Sequence, residues 1–272
     1  APELLPAHER LQLRLEDLLG FRRSPVTATP LFRELGAKPL DGHPTPATPF
    51  VRLATGASGV GLPASLGLAL GAADLYGAKA PWVHIIEGEG GLTPGRASEA
   101  LAAAGTACLG NAVLHLDWNQ ASIDSDNVCR DGDRPGDYVQ WTPAELAALH
   151  DWNVISVADG SDLQAIVRAQ RLARSLDNGQ PTAVVYRTVK GWRYGVEGAA
   201  SHGAGHGLCS AGFYKAVLPL EELAEIEIPR CERAAPPCGE GTEPAVVEAC
   251  YWGALKGVRR AVESRPGMVE VL

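Results

Sequence analysis

Four short apolar runs alternate with segments of helical character: Trp82 to Ile86, Ala112 to Leu116, Asn153 to Val157 and Thr182 to Arg187. The first of these, Trp82 to Ile86, is bounded by Pro81 and Gly88 and suits a central parallel strand. Between the runs, Arg96 to Leu109 reads as a helix. Thr142, with Pro143 at the first helical position and Glu145 at the third, predicts a capping box opening a helix that reaches His150. Ser161 or Asp162 then caps a helix to Leu176, and Leu62 to Tyr76 is an Ala/Leu/Gly-rich helix buried on most sides. Regular strand–helix alternation specifies an α/β fold. The expected sheet is doubly wound and mostly parallel, with helices on both faces.

The 272 residues, 46% of them hydrophobic and 21% charged, supply a generous core for such a sheet. A net charge of −8 argues against a nucleic-acid partner, because phosphate neutralisation needs a basic face. No membrane span is expected, since Pro63, Gly67 and Gly71 break the apolar stretch from Val60 to Ala73. The N-terminus lacks a basic segment followed by an apolar one, so no secretory leader is expected and the reading is cytoplasmic. The cysteines at positions 108, 129, 209, 231, 238 and 250 form no CxxC pair and read as free thiols.

Ala1 to Gly20 reads as an amphipathic helix and Phe21 to Phe50 as extended loop. Glu221 to Pro244 reads as an acidic, Pro- and Cys-rich linker before a last helix from Pro244 to Ser264. The expected organisation is one domain over residues 1–220, with 221–272 forming the linker and C-terminal helix.

In a doubly wound sheet, ligands bind at the carboxyl ends of the strands. The first strand delivers Glu87-Gly88-Glu89-Gly90-Gly91 there, and the second delivers Asp117-Trp118-Asn119-Gln120. One helix and one strand separate Glu89 from Asn119, so both side chains can reach one crevice. A carboxylate, an amide oxygen and a nearby backbone carbonyl make an oxygen-only set that suits Mg²⁺ completed by substrate phosphates. Glycines beside the acid let a diphosphate approach the backbone, and the helix starting near Arg96 adds a favourable dipole.

Gly88-Glu89-Gly90 followed some thirty residues later by Asn119 resembles the diphosphate-binding motif of thiamine-diphosphate enzymes. The wider blocks resemble the transketolase family: Gly88 to Gly95, Ala104-Gly105-Thr106, Leu109-Gly110 and Asp117 to Asp124. So do Gly42-His43-Pro44, the glycine loop Thr55 to Leu62, and Thr188-Val189-Lys190-Gly191 with Ser201 to Gly207. The resemblance covers about residues 42 to 210. It implies the thiamine-diphosphate-binding fold, with residues 1–220 as the diphosphate-binding domain. The linker would lead toward a pyrimidine-binding domain that this chain does not contain.

The same resemblance implies roles for individual residues. Glu89, Asn119 and the Ala121 carbonyl would be metal ligands. Gly90 would give its N–H to the diphosphate, and Gly56 would lie against the aminopyrimidine. His43 matches a histidine that reaches the donor substrate. His202 or His206 matches one that touches the diphosphate, with His206 preferred. Departures from the family pattern include Glu89 where Asp is preferred, Pro94 where a glutamate links two active sites across a dimer, and Ser58 in place of an apolar contact to the cofactor rings.

The implied cofactors are thiamine diphosphate and Mg²⁺, with Ca²⁺ or Mn²⁺ as substitutes. The implied reaction is transfer of a two-carbon ketol unit between sugar phosphates, with Lys190, Arg193 and Arg52 as candidate phosphate contacts. The partner would be a pyrimidine-binding domain or subunit, in a homodimer or heterotetramer. Two rival readings are a 2-oxo acid decarboxylating component like the pyruvate dehydrogenase E1, and a non-catalytic subunit that keeps the fold. His84 and His115, inside apolar strands, read as satisfied core or rim histidines, and His8 and His150 as surface residues. The Asp124 to Asp137 stretch reads as turn-capping residues. Trp141, Trp152 and Trp192 read as packing anchors.

Overall fold

The computed structural model describes residues 13–21, 29–46, 51–121, 141–202, 206–207, 210–230 and 243–265. The acidic stretch from Asp124 to Asp137 lies outside them. In chain order the first α-helices are α1 (Pro30–Glu34), α2 (Gly61–Tyr76), α3 (Gly95–Thr106) and α4 (Pro143–Leu149). They are followed by α5 (Leu163–Ser175), α6 (Ala211–Ala224) and α7 (Pro244–Glu263). The strands are β1 (Val83–Gly88), β2 (Ala112–Trp118), β3 (Asn153–Val157) and β4 (Thr182–Arg187). Among the described residues, no helix is long and apolar enough to cross a membrane.

By internal contacts the chain divides into two units, one of which comprises Leu53–Trp192 with Val196–His202. It holds a four-stranded sheet in the order β1-β2-β4-β3, parallel throughout. The α/β expectation is therefore met, and the order explains the layering. From β1 to β2 and on to β3 the chain advances across the sheet, so right-handed crossovers put α3 and α4 on one face. From β3 back to β4 it reverses, and the same handedness puts α5 on the other.

The first face buries Ile85, Leu114, Leu116, Ala183 and Val185 against Leu62, Leu66, Ala97, Leu101 and Ala147. The second buries Val113, Val184, Tyr186 and Val157 against Ala169 and Ala173 of α5. Among the described residues, α5 packs on this second face over β3 and β4. Strand β1 is an edge strand of the sheet, not the central one its apolar run suggests, and its Ile86 stays 84% exposed.

Of two expected helix caps, one fails and one forms. The Thr142 capping box does not form: Thr142 makes no side-chain cap bond, and its buried hydroxyl has no partner. Asp162 does cap α5, accepting from the Gln164 and Ala165 N–H groups at 2.9 and 3.0 Å.

The other unit comprises Ala1–Arg52, Arg193–Gly195 and Gly203–Leu272. Its core joins Leu19, Phe32 and Ala37 to Tyr251 and Trp252. Of the expected N-terminal helix, residues 13–20 are described and Leu15–Gly20 form a 3₁₀ turn, and α1 interrupts the expected loop from Phe21 to Phe50. Helix α6 extends to Ala224, so the first residues of the expected linker are helical. Buried Glu248 of α7 accepts from the Leu31 and Phe32 N–H groups at 2.9 and 3.1 Å, capping α1 from a remote part of the sequence. Cys108 is a free thiol as expected, whereas Cys250 is disulfide-bonded.

Candidate functional site

The site is built where β1 and β2 end. Gly88 pairs with Asp117 in the parallel register, so the residues that follow each strand emerge side by side. After Gly88 the chain turns into the 3₁₀ segment Glu89–Leu92, which folds the Glu89 side chain inward until it is 1% exposed. Its Oε1 accepts a hydrogen bond from the Gln120 N–H. Burial pushes the Glu89 carboxyl above its usual range; hydrogen bonds from its own, the Gln120 and the Asn119 backbone N–H groups oppose that, and Asp117 adds to it.

Asn119 stands in the same turn. Its Oδ1 accepts from the Ala121 N–H at 2.9 Å, and its Nδ2 donates to Asp117 Oδ2 at 3.1 Å. The other Asp117 oxygen accepts from the Thr188 hydroxyl, tying the end of β2 to the loop after β4. Arg187 donates to the Trp118 carbonyl at 2.7 Å and lies over the Trp118 ring. Gln120 takes the left-handed conformation, φ 60°, and its buried side-chain oxygen has no hydrogen-bond partner.

A glycine loop adjoins this turn. At Gly59, φ +71°, an added Cβ would come within 2.7 Å of Pro94 and 3.2 Å of the Gly91 carbonyl. At Gly91 it would land 2.1 Å from the Glu87 carboxyl carbon. Glu87 therefore fills the hollow over Gly91, with Oε1 accepting from the Gly88 N–H at 3.1 Å, and burial pushes its carboxyl up. Close backbone approach, which only glycine permits, brings the 56–61 loop onto the 91–94 turn.

Of the expected site residues, Glu89, Gly90, Asn119 and Ala121 share one turn cluster, and Gly56 lies exposed in the adjoining loop. The Gly90 carbonyl accepts from the Thr93 hydroxyl at 2.8 Å. His202 belongs to the same unit, exposed, just after the 3₁₀ turn Gly198–Ser201. His43 and His206 belong to the other unit. His43 is exposed, with its N–H on Asp41 Oδ1 at 3.3 Å. His206 Nε2 lies 2.8 Å from the Tyr194 carbonyl, and its ring packs on Gly212. Lys190 is in the sheet unit, and Arg52 and Arg193 are in the other.

Asp117, Gln120, Thr188 and Glu87 had no assigned role in the sequence reading. The first three stood inside the quoted motifs, where adjacency was the available signal. The inward turn of Glu87 had none.

The donor set fits a hard divalent cation. Glu89 supplies a carboxylate, Asn119 an amide oxygen with a second lone pair beyond the one facing Ala121, and Ala121 a carbonyl. The unpartnered Gln120 oxygen marks a polar spot in the same turn. Among the described residues no group of three or more His, Cys, Asp or Glu is placed to hold a metal, so amide and carbonyl oxygens would have to complete the set.

Residues 8–230 match the family model described as transketolase, thiamine diphosphate binding domain. A plasmid-encoded transketolase of Cupriavidus necator is 32% identical over 263 residues, covering 93% of this chain and 35% of that protein. The structure of transketolase from Leishmania mexicana superposes with a TM-score of 0.62 at 22% identity, over 94% of this chain and 36% of that one. Transketolase of Pichia stipitis in complex with sedoheptulose-7-phosphate superposes with a TM-score of 0.58 at 24% identity, over 94% and 34%. These likenesses support the fold. The chain spans about a third of the length of the relatives it matches.

Proposed function

Because this chain belongs to the transketolase thiamine-diphosphate-binding family, we propose that it is the diphosphate-binding half of a transketolase-type enzyme. It would work in the cytoplasm on sugar phosphates, transferring a two-carbon ketol unit with thiamine diphosphate and Mg²⁺. Residues 1–220 would be the diphosphate-binding domain and 221–272 the link toward a pyrimidine-binding domain or subunit, in a homodimer or heterotetramer. One observation carries the reading: the buried Glu89 carboxylate, at the end of one strand, is held by the turn containing Asn119 at the end of its neighbour. The Pichia stipitis enzyme with a bound sugar phosphate supports the substrate class.

When bound, thiamine diphosphate supplies an electron sink for cleavage of the C–C bond beside a ketose carbonyl. The chain's own residues would do the rest. Glu89, Asn119 and the Ala121 carbonyl would hold Mg²⁺, and Asp117 steadies Asn119 through its amide nitrogen. The Gly90 N–H would meet the diphosphate, and Gly56 would let the aminopyrimidine lie against bare backbone. His43 would reach the donor substrate and His202 or His206, with His206 preferred, would touch the diphosphate; an imidazole, with one nitrogen to donate and one to accept, suits proton transfer there. Lys190, Arg193 and Arg52 would meet the sugar phosphate.

Calorimetry with thiamine diphosphate tests this. Mg²⁺-dependent heat is expected from the parent chain and none from Asn119→Ala, with melting unchanged. Glu89 and Pro94, which depart from the family pattern, favour the non-catalytic alternative. Absence of heat from the parent chain at millimolar cofactor would select that alternative.

A further inference from the structure

On the second face of the sheet, away from the strand ends, three polar side chains form a line across neighbouring strands. His84 Nδ1 of β1 lies 2.8 Å from His115 Nε2 of β2, and His115 Nδ1 lies 2.9 Å from the Tyr186 hydroxyl of β4. The register makes the two histidines diagonal neighbours, His115 pairing with Ile86. The rings lie nearly parallel, at 18°, with their centroids 5.2 Å apart.

We propose that His84 and His115 form a binding site for a borderline divalent transition-metal ion of the Zn²⁺ class, with water completing the coordination. Neutral imidazole nitrogens are the preferred nitrogen ligands of such ions. Two of them on one tetrahedral ion, at about 2.0–2.1 Å each, stand about 3.3 Å apart, so the observed pair needs to open by roughly half an ångström. His84 is exposed and can make that adjustment.

His115 already has what a ligand histidine needs behind it. Its distal nitrogen faces the Tyr186 hydroxyl, which orients the ring and can accept from Nδ1–H, the tautomer that leaves Nε2 bare for a metal. The open coordination positions come from the fold. A parallel sheet is ordinarily covered on both faces, yet beside this pair Ile86 stands 84% exposed. Burial lowers the proton affinity of both rings, which leaves them neutral and free to coordinate. Among the described residues, Arg174 of α5 is a charged group that acts on the pair and disfavours a proton on His84. Its charge opposes a bound cation, so its removal tightens binding.

The test uses the whole chain, free of any affinity tag, titrated with Zn²⁺ alone. Long-range ¹H–¹⁵N spectra of the histidine rings read the donor nitrogens directly. The His84 Nδ1 and His115 Nε2 resonances are expected to shift together and saturate at one equivalent. His84→Ala and the double variant His84→Ala/His115→Ala each lose that equivalent in calorimetry. Tyr186→Phe weakens it about tenfold, as loss of an outer partner does, and Arg174→Gln strengthens it. Ring nitrogens unmoved at zinc saturation, or unchanged zinc stoichiometry in the double variant, overturn the proposal. The spectra need no variant, so a variant that fails to fold leaves the test intact.

Discussion

The Glu89 carboxylate accepts its hydrogen bond from the Gln120 backbone, a contact between the turn after one strand and the turn after the next. That clamp has a pH consequence. Burial raises the Glu89 carboxyl above its ordinary value of 4.5, so the folded chain holds this proton to higher pH than the unfolded one does. Stability contributed by the bound proton is present at low pH and falls as pH rises above that ordinary value through the folded value.

Glu89→Gln keeps an acceptor for Gln120 and removes the charge. Its stability relative to the parent should therefore improve from pH 4.5 upward toward neutrality, as read by urea denaturation at several pH values. In calorimetry the same variant should bind Mg²⁺–thiamine diphosphate about 10–100-fold more weakly, the scale of a lost charge-assisted contact.

His115 behaves in the opposite sense. Burial lowers its value to about 4, with His84 adding to the effect, so the unfolded chain takes up this proton first as pH falls. Its neutral state stabilises the fold above pH 6.5, and that contribution is lost as pH falls from 6.5 toward 4. His115→Gln should flatten the acid limb of the stability profile in that window, measured by denaturant midpoints without added metal.

Gly105 inverts the usual propensity rule. Alanine for glycine inside a helix normally gains about 1 kcal/mol. Here the added Cβ would sit 2.0 Å from the His150 carbonyl oxygen, which is backbone and has little room to move. Gly105→Ala is expected to destabilise by about 1–3 kcal/mol, the range for overpacking, visible as a lower urea midpoint with an unchanged slope.

Trp152 anchors the first face of the sheet. It is 5% exposed, and its Nε1 donates to the Leu101 carbonyl at 2.9 Å. Trp152→Phe keeps most of the apolar contact and leaves that acceptor one partner short, for a loss of about 1–3 kcal/mol. Trp152→Ala should cost about 3–5 kcal/mol. Denaturation of the two variants separates the hydrogen bond from the packing.

The alternation of apolar runs and helices made the parallel sheet legible, because backbone pairing and two-sided burial leave few other uses for such runs. Glu89 and Asn119 were legible for a related reason: each stands just past a readable strand, and parallel register carries both to one edge. The capping box at Thr142 was misread, since local spacing permits the bond but the surrounding packing decides the rotamer. Helix α6 and the short α1 were missed. The cap on α1 comes from Glu248, more than two hundred residues further along the chain, and no local pattern encodes it.

Sequence alone, then, determined the layer architecture and the pair of acidic and amide side chains at one sheet edge, through periodicity and the turn residues bounding each strand. Tertiary structure alone decided that His84 and His115 meet, that Glu87 turns in over Gly91, and that Ile86 of β1 stays exposed among the described residues. The reason is physical: each of these depends on strand register and on which helix covers which face, and both are set when distant segments pack together.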